Sequence, residues 1–201
     1  MHAFAPVETY YDKYDLMGQK IGTIKANITQ YHGSSPFPVK VYETQSTGFV
    51  NFTPAQLLGR GTIKSNAYKP KMNYLFINGD LVQENKENDI NTCYLYGYNK
   101  QYPIAKIIGS DFYTAYSYVS QVLVNDPMTD DQTMRSHLNA LRSIPNTQVT
   151  TYTYRPLVGM TSETAPDGKT IFYEYDNFGQ LKLVRNQDGN IVKTYQYNYR
   201  Q

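Results

Sequence analysis

The side chains able to do chemistry are few and scattered. His2, His32 and His137 lie in three separate stretches without metal-ligand spacing, so they read as surface or capping residues rather than one site. Cys93 is the single cysteine, set between Thr92 and Tyr94 with no evident partner base; it reads as a small core residue, and it can form no disulfide within the chain. Asp130-Asp131 has the form of an acid–base pair. Acidic residues at a helix start already have a task, however, because they answer free amides and the helix dipole. Asn186-Gln187-Asp188-Gly189-Asn190 offers oxygen ligands and a glycine but lacks the longer pattern and closing Glu of a calcium loop, so it reads as a hairpin turn. No Gly-x-Ser-x-Gly or His-Glu-x-x-His occurs, and Gly59-Arg60-Gly61-Thr62 is too short for a phosphate-cradling loop. The expectation is a protein that is not an enzyme and holds no metal or cofactor.

Tyrosine is the abundant functional group: 21 Tyr stand beside 8 Phe and no Trp. Rows of tyrosine on one strand face have two uses. Rings can stack on sugars while hydroxyls hydrogen-bond, which makes Tyr152, Tyr173, Tyr195 and Tyr197 candidate glycan- or ligand-binding residues. The same rows can pair across strands and stabilise a thin sheet. Recurrence at each strand favours the second use, since a binding site needs only one or two copies.

The elements that would carry these rows are strands. Thr151-Tyr152-Thr153-Tyr154, Phe172-Tyr173-Glu174-Tyr175 and Thr194-Tyr195-Gln196-Tyr197-Asn198-Tyr199 alternate with period two. Between them, Asp167-Gly168 and Asp188-Gly189 carry tight-turn chemistry, because glycine accepts positive φ without steric cost. The spacing is regular: Tyr154, Tyr175 and Tyr197 are 21 and 22 residues apart, Gly159 and Gly179 are 20 apart, and the two Asp-Gly pairs are 21 apart. Tyr14-Asp15-Leu16-Met17-Gly18 and Tyr175-Asp176-Asn177-Phe178-Gly179 share the form Tyr-Asp-x-x-Gly, and a weaker copy runs from Tyr74 through Asn78-Gly79. Residues 148–200 are therefore expected to be antiparallel strands joined by short turns.

Residues 111–142 break that pattern. Asp111 is placed to cap a helix running through Phe112, Ala115, Tyr116, Val119 and Val122-Leu123, which Asp126-Pro127 ends. Thr129 or Asp130 then caps a second helix with Met134, Leu138 and Leu141 on one face. Residues 33–72 are rich in turn formers and read as an irregular insertion, with strand candidates at 39–43 and 48–52 and a turn of helix at 53–58. The expected fold is α+β and strand-dominated: a twisted antiparallel sheet of hairpins with the helical pair packed on it, because a lone hairpin layer is marginal. The whole reads as a single domain, 1–201, in five stretches: strands in 1–32, the insertion in 33–72, degenerate repeat strands in 73–110, the helical segment in 111–147 and hairpins in 148–201.

The two Tyr-Asp-x-x-Gly units and their period resemble the RHS/YD-repeat family. The likeness is closest over 148–199 and at Tyr96-Gly97-Tyr98-Asn99-Lys100-Gln101-Tyr102-Pro103, and it is similar there to the terminal repeat module of large surface or secreted proteins of Bacteroidetes-type bacteria. The resemblance implies a structural or interaction module, with Tyr14, Asp15, Gly18, Tyr154, Gly159, Asp167, Gly168, Tyr175, Asp176, Gly179, Asp188 and Gly189 as repeat-motif residues. Departures exist: Gln180 stands where the family prefers Arg, and the units near Tyr74 and Tyr154 lack the Asp. The partners implied are neighbouring repeats, or a second copy, reached through edge strands. A balance of 19 basic and 17 acidic residues gives no reason to expect nucleic acid. No apolar run is long enough for a membrane helix, and residues 1–8 lack the features of a secretory signal, so a place at the cell surface is implied by the family alone.

Overall fold

The computed structural model describes residues 7–31, 35–44, 48–50, 56–58, 61–63 and 66–197. His2, His32, the Thr53-Pro54 helix start and Tyr199, all weighed above, lie outside them. The chain divides into two compact units, Met1–Ile90 and Asn91–Gln201.

The first unit is built on strands β1 (Val7–Tyr14), β2 (Lys20–Tyr31), β3 (Pro38–Thr44), β6 (Tyr68–Ile77) and β7 (Asp80–Lys86), hydrogen-bonded in that order and all antiparallel. A separate small hairpin joins β4 (Gln56–Leu58) and β5 (Gly61–Ile63). The helical turn expected at 53–58 is thus a strand where it is described. A cap and a proline without an apolar period behind them do not overcome the cost of nucleating a helix. The stretch expected to be an irregular insertion contains β3, a regular member of the sheet between β2 and β6. Of the candidate at 48–52, the described part makes one bridge, Val50 to Thr23. Prolines that argue against strands are tolerated here at irregularities: Pro70 faces Tyr42 at a register shift in β3–β6. Ala26, Ile28 and Tyr68 form a small buried cluster with Tyr42 against it.

In the second unit the order follows the sequence: β8 (Thr92–Gly97), β9 (Tyr102–Ile108), β10 (Gln148–Arg155), β11 (Gly159–Thr164), β12 (Thr170–Tyr175), β13 (Leu181–Asn186) and β14 (Ile191–Thr194). Every neighbouring pair is antiparallel. The ladder continues past β14, where the Tyr195 amide donates to the Lys182 carbonyl. Between β9 and β10 come α1 (Phe112–Ser117), α2 (Gln121–Asn125), α3 (Asp131–Leu138) and a 3-10 helix (Asn139–Ser143). The molecule is the strand-dominated α+β protein expected, with its sheets antiparallel and open.

The helices pack on β8 and β10, and the buried face of those strands is the one that carries Cys93, Leu95, Val149, Thr151 and Thr153. Met134, Leu138 and Leu141 are fully buried over it, as the helical period predicts. The first expected helix is two. It breaks at Tyr118–Ser120, and Ser120 starts α2 by accepting the Leu123 amide on its hydroxyl. Asp111 and Asp130 are the caps of α1 and α3, each accepting backbone amides at the helix start.

Candidate functional site

The repeat motif is a turn with a fixed bonding pattern, found four times among the described residues. In residues 15–19, 165–169, 176–180 and 186–190 the first amide donates to the fifth carbonyl, and the glycine amide at the fourth position donates back to the first carbonyl. The glycines at that fourth position, Gly18, Gly168, Gly179 and Gly189, have φ of +77°, +84°, +76° and +79°. This is a three-residue hairpin loop closed by a left-handed glycine, which other residues enter only with strain.

The aspartate of the motif completes the loop. Asp15 Oδ1 accepts the amides of Met17 and Gln19 at 2.9 and 2.8 Å. Asp176 Oδ1 accepts those of Phe178 and Gln180 at 2.8 and 2.9 Å. In the turn at 186 the same work falls to Asn186, whose Oδ1 accepts from Asp188 and Asn190. Asp188 is thus a donor at the third turn position, and Asn186 is the residue the sequence reading missed, although Asn186-x-x-Gly189 repeats the motif spacing. Ala165 has no acceptor to offer; there Asp167 takes the Lys169 amide and pairs with the Lys169 ammonium at 2.9 Å. Its carboxyl is lowered from the usual range, chiefly by the side-chain bond from Lys169.

The tyrosines have a second repeated geometry. Tyr175 crosses from β12 onto the start of β11, where its hydroxyl donates to the Met160 carbonyl at 2.8 Å. Its ring occupies the space a side chain at 159 would need: a Cβ on Gly159 would lie 2.3 Å from Tyr175 Oη. Tyr197 repeats the move one unit later, donating to the Leu181 carbonyl at 2.9 Å. Tyr154 packs back onto β9, stacked on Tyr102 at 4.8 Å and edge-on to Tyr98 at 5.8 Å. Tyr98 and Tyr102 stand in the family-like stretch of the sequence but carried no assigned role there; their hydroxyls accept the amides of Tyr154 and Leu157. One repeat of about 21 residues is therefore two strands and two turns, locked to the preceding repeat by one tyrosine.

Tyr152 and Tyr173 lie on the sheet face opposite the helices and are half-buried, with Glu163 opposite Tyr152 and Val184 opposite Tyr173. Tyr195 continues the row with the Lys193 ammonium 4.8 Å from its ring centre, while Tyr197 and Tyr14 are exposed. Burial raises the phenols of Tyr98, Tyr152, Tyr173 and Tyr175 above their ordinary value and pushes Tyr154 up to about 12. Burial likewise pushes the Cys93 thiol up to about 12. These groups are protonated at neutral pH, which makes them hydrogen-bond donors and packing groups rather than nucleophiles or bases. Among the described residues no group of three His, Cys, Asp or Glu side chains is placed to hold a metal ion. No described helix is long and apolar enough to cross a membrane.

Arg142 also escaped the sequence reading. From the 3-10 helix its guanidinium donates to the carbonyls of Val149, Thr164 and Pro166 at 3.0–3.2 Å, tying the helices to β10 and to the turn after β11.

No protein-family model and no curated protein matches the chain. Solved structures do. The crystal structure of TcdB2-TccC3-TEV matches over 94% of this chain with 14% identity and a TM-score of 0.50, and that of TcdB2-TccC3 without its hypervariable C-terminal region matches over 94% with 13% identity and a TM-score of 0.50. The fold is RHS-like. This chain spans 8% of the length of either neighbour, and the RHS-like likeness is one of fold.

Proposed function

We propose that this chain is a non-enzymatic structural module: a strip of YD-type hairpins that forms part of a larger exported or cell-surface assembly and joins it through sheet edges. The observation that carries the reading is the double periodicity of the backbone-directed bonds. The same closed turn recurs four times among the described residues, and two of the three tyrosines that define the period, Tyr175 and Tyr197, donate to carbonyls of the preceding strand. Residues used this way build a scaffold that lengthens by adding units.

One edge available for joining is β14. Tyr195 bonds inward to Lys182, so the strand's alternation turns the backbone groups of Thr194 outward, and Val192 is the extra residue at the register shift between Lys193 and Ile191. All four β14 side chains are exposed, and Lys193 is the only charge among them. An edge carrying so few charges is a template for pairing.

Light scattering over a dilution series tests the reading. The expected result is concentration-dependent association that Val192→Lys weakens by about tenfold or more, without change in the melting temperature of the dilute protein. A strictly monomeric species at every concentration, or unaltered association in Val192→Lys, overturns the edge assignment. A thermal-shift screen with oligosaccharides separates the competing use of Tyr152, Tyr173, Tyr195 and Tyr197. A reproducible rise with one glycan class, abolished by Tyr173→Ala, would replace scaffold by carbohydrate binding.

A further inference from the structure

We propose that His137 is a proton-sensitive clasp that holds α2 on the sheet. Helix α2 has five residues, too few to persist unaided in water, so its position depends on the buried Val124 and on the bonds at its ends. At its start the Ser120 amide donates to His137 Nε2 at 2.8 Å, reaching from the cap of α2 to α3. At its finish the Val124 carbonyl accepts the Tyr98 amide at 2.8 Å, and Asn125 Oδ1 accepts the Asn99 amide at 2.9 Å. The Leu123 carbonyl accepts the Thr129 hydroxyl at 2.9 Å.

Of these four bonds, one alone can be cancelled by a proton. Nε2 accepts the Ser120 amide through its lone pair, which places the ring proton on Nδ1. Once Nε2 is protonated, two N–H donors face each other and the bond is lost. Imidazoles change charge in the range of about pH 5 to about pH 8. The charged groups of the neighbouring elements are engaged with other partners. Residues 112–125 contain no charged side chain, nor does the helix-facing row Val149, Thr151 and Thr153 of β10. On α3, Asp131 and Arg135 pair with each other at 3.8 Å, and Arg135 also reaches Ser162 and the Phe172 ring. Arg142 is bonded to carbonyls, Asp130 caps α3, and Asp126 Oδ1 accepts the Met128 amide.

What α2 covers gives the clasp its consequence. The Val124 carbonyl fills the place a side chain at Gly97 would take, 2.8 Å from where a Cβ would stand. The turn that follows holds three successive non-glycine residues, Tyr98, Asn99 and Lys100, at φ of 51°, 58° and 64°. Such a run persists only while its surroundings impose it, and the two bonds from α2 supply part of that imposition. Acid that opens the His137 clasp therefore loosens α2 and, through it, the turn at 98–101.

Amide hydrogen exchange at Ser120 and Tyr98, compared at about pH 7.5 and about pH 5.5 after correction for intrinsic rates, tests this. The expected result is a roughly threefold to tenfold loss of protection at the lower pH, the size of one hydrogen bond. His137→Gln keeps an oxygen acceptor that does not titrate there, so its protection should be the same at both pH values. His137→Leu should show the weakened protection at both. Equal protection of the wild type at the two pH values overturns the clasp, and so does a His137→Gln protein that loses protection as the wild type does. Should His137→Leu fail to fold, the His137→Gln comparison decides alone, and it also separates His137 from the other two histidines.

Discussion

Two parts of the second unit are stabilised by different physics. Under the helices, β8–β10 bury Leu95, Ile104, Ala105, Ile107 and Val149 against Val124, Met134, Leu138 and Leu141, nearly all without solvent contact. Beyond them, β11–β14 bury few large apolar side chains, Leu183 and Val184 foremost, while Ile171, Ile191 and Val192 are exposed. That strip is held by closed turns, by tyrosine hydroxyls on carbonyls and by rings under cations such as Arg155 on Tyr175. The helix-covered part is a core that happens to include a sheet. The strip is a sheet whose geometry is fixed locally, unit by unit, which is what an extendable scaffold requires.

The largest effect should therefore come from the core. Leu138→Ala empties a fully buried position and is expected to cost about 3 kcal/mol, whereas Ile191→Ala in the strip should cost less than about 0.5 kcal/mol. Urea unfolding of the two variants checks the contrast, and similar losses would remove it. In the strip, a backbone position should matter more than an apolar one. Gly159→Ala would drive a methyl into Tyr175 and break the bond to Met160, costing about 2 kcal/mol. Tyr175→Ala should abolish most of that cost, so a double-mutant cycle reads the lock directly. Asp176→Ala removes the acceptor of two turn amides and should cost about 1 kcal/mol, while Asp176→Asn should be nearly neutral because Asn186 does the same work one turn later. Exchange at the Phe178 and Gln180 amides reports on it.

The strip was the more legible region from sequence, and the reason is the same locality. Asp-x-x-Gly states a turn whose donor, acceptor and left-handed residue all lie within five positions. Asp111 and Asp130 were equally readable, since a cap acts within three residues. Non-local facts were not. Nothing near Tyr175 says that its hydroxyl ends on Met160, nor does anything near Arg142 point to the Thr164 carbonyl. The strand candidate at 39–43 is β3, but the prolines and serines around it signal turns and hid its place in the sheet, which is set by β2 and β6. The break at Tyr118–Ser120 was obscured by apolar residues that keep helical spacing across it.

The smallest predicted effect separates the regions by acid. The carboxyls of Asp111 and Asp130 are lowered from the usual value, Asp111 first by the bond from the Thr114 hydroxyl and Asp130 first by the Thr133 amide. A folded-state value below the unfolded one adds stability above the ordinary carboxylate range, and that stability is lost as pH falls through the folded value. The α1 and α3 caps should therefore weaken as pH falls through and below the ordinary carboxylate range of about 4. The turn at 186–190 closes with Asn186 and has no such proton linkage in its capping side chain. Asparagine caps a helix as well as aspartate does, so Asp111→Asn with Asp130→Asn keeps the caps and removes their titration. The far-UV helix signal of the wild type should decline over that range before exchange at Asp188 and Asn190 does, and the double variant should lag behind the wild type. Coincident loss at both places would mean that helices and strip unfold as one cooperative body, and the division drawn between them would be one of bonding without being one of stability.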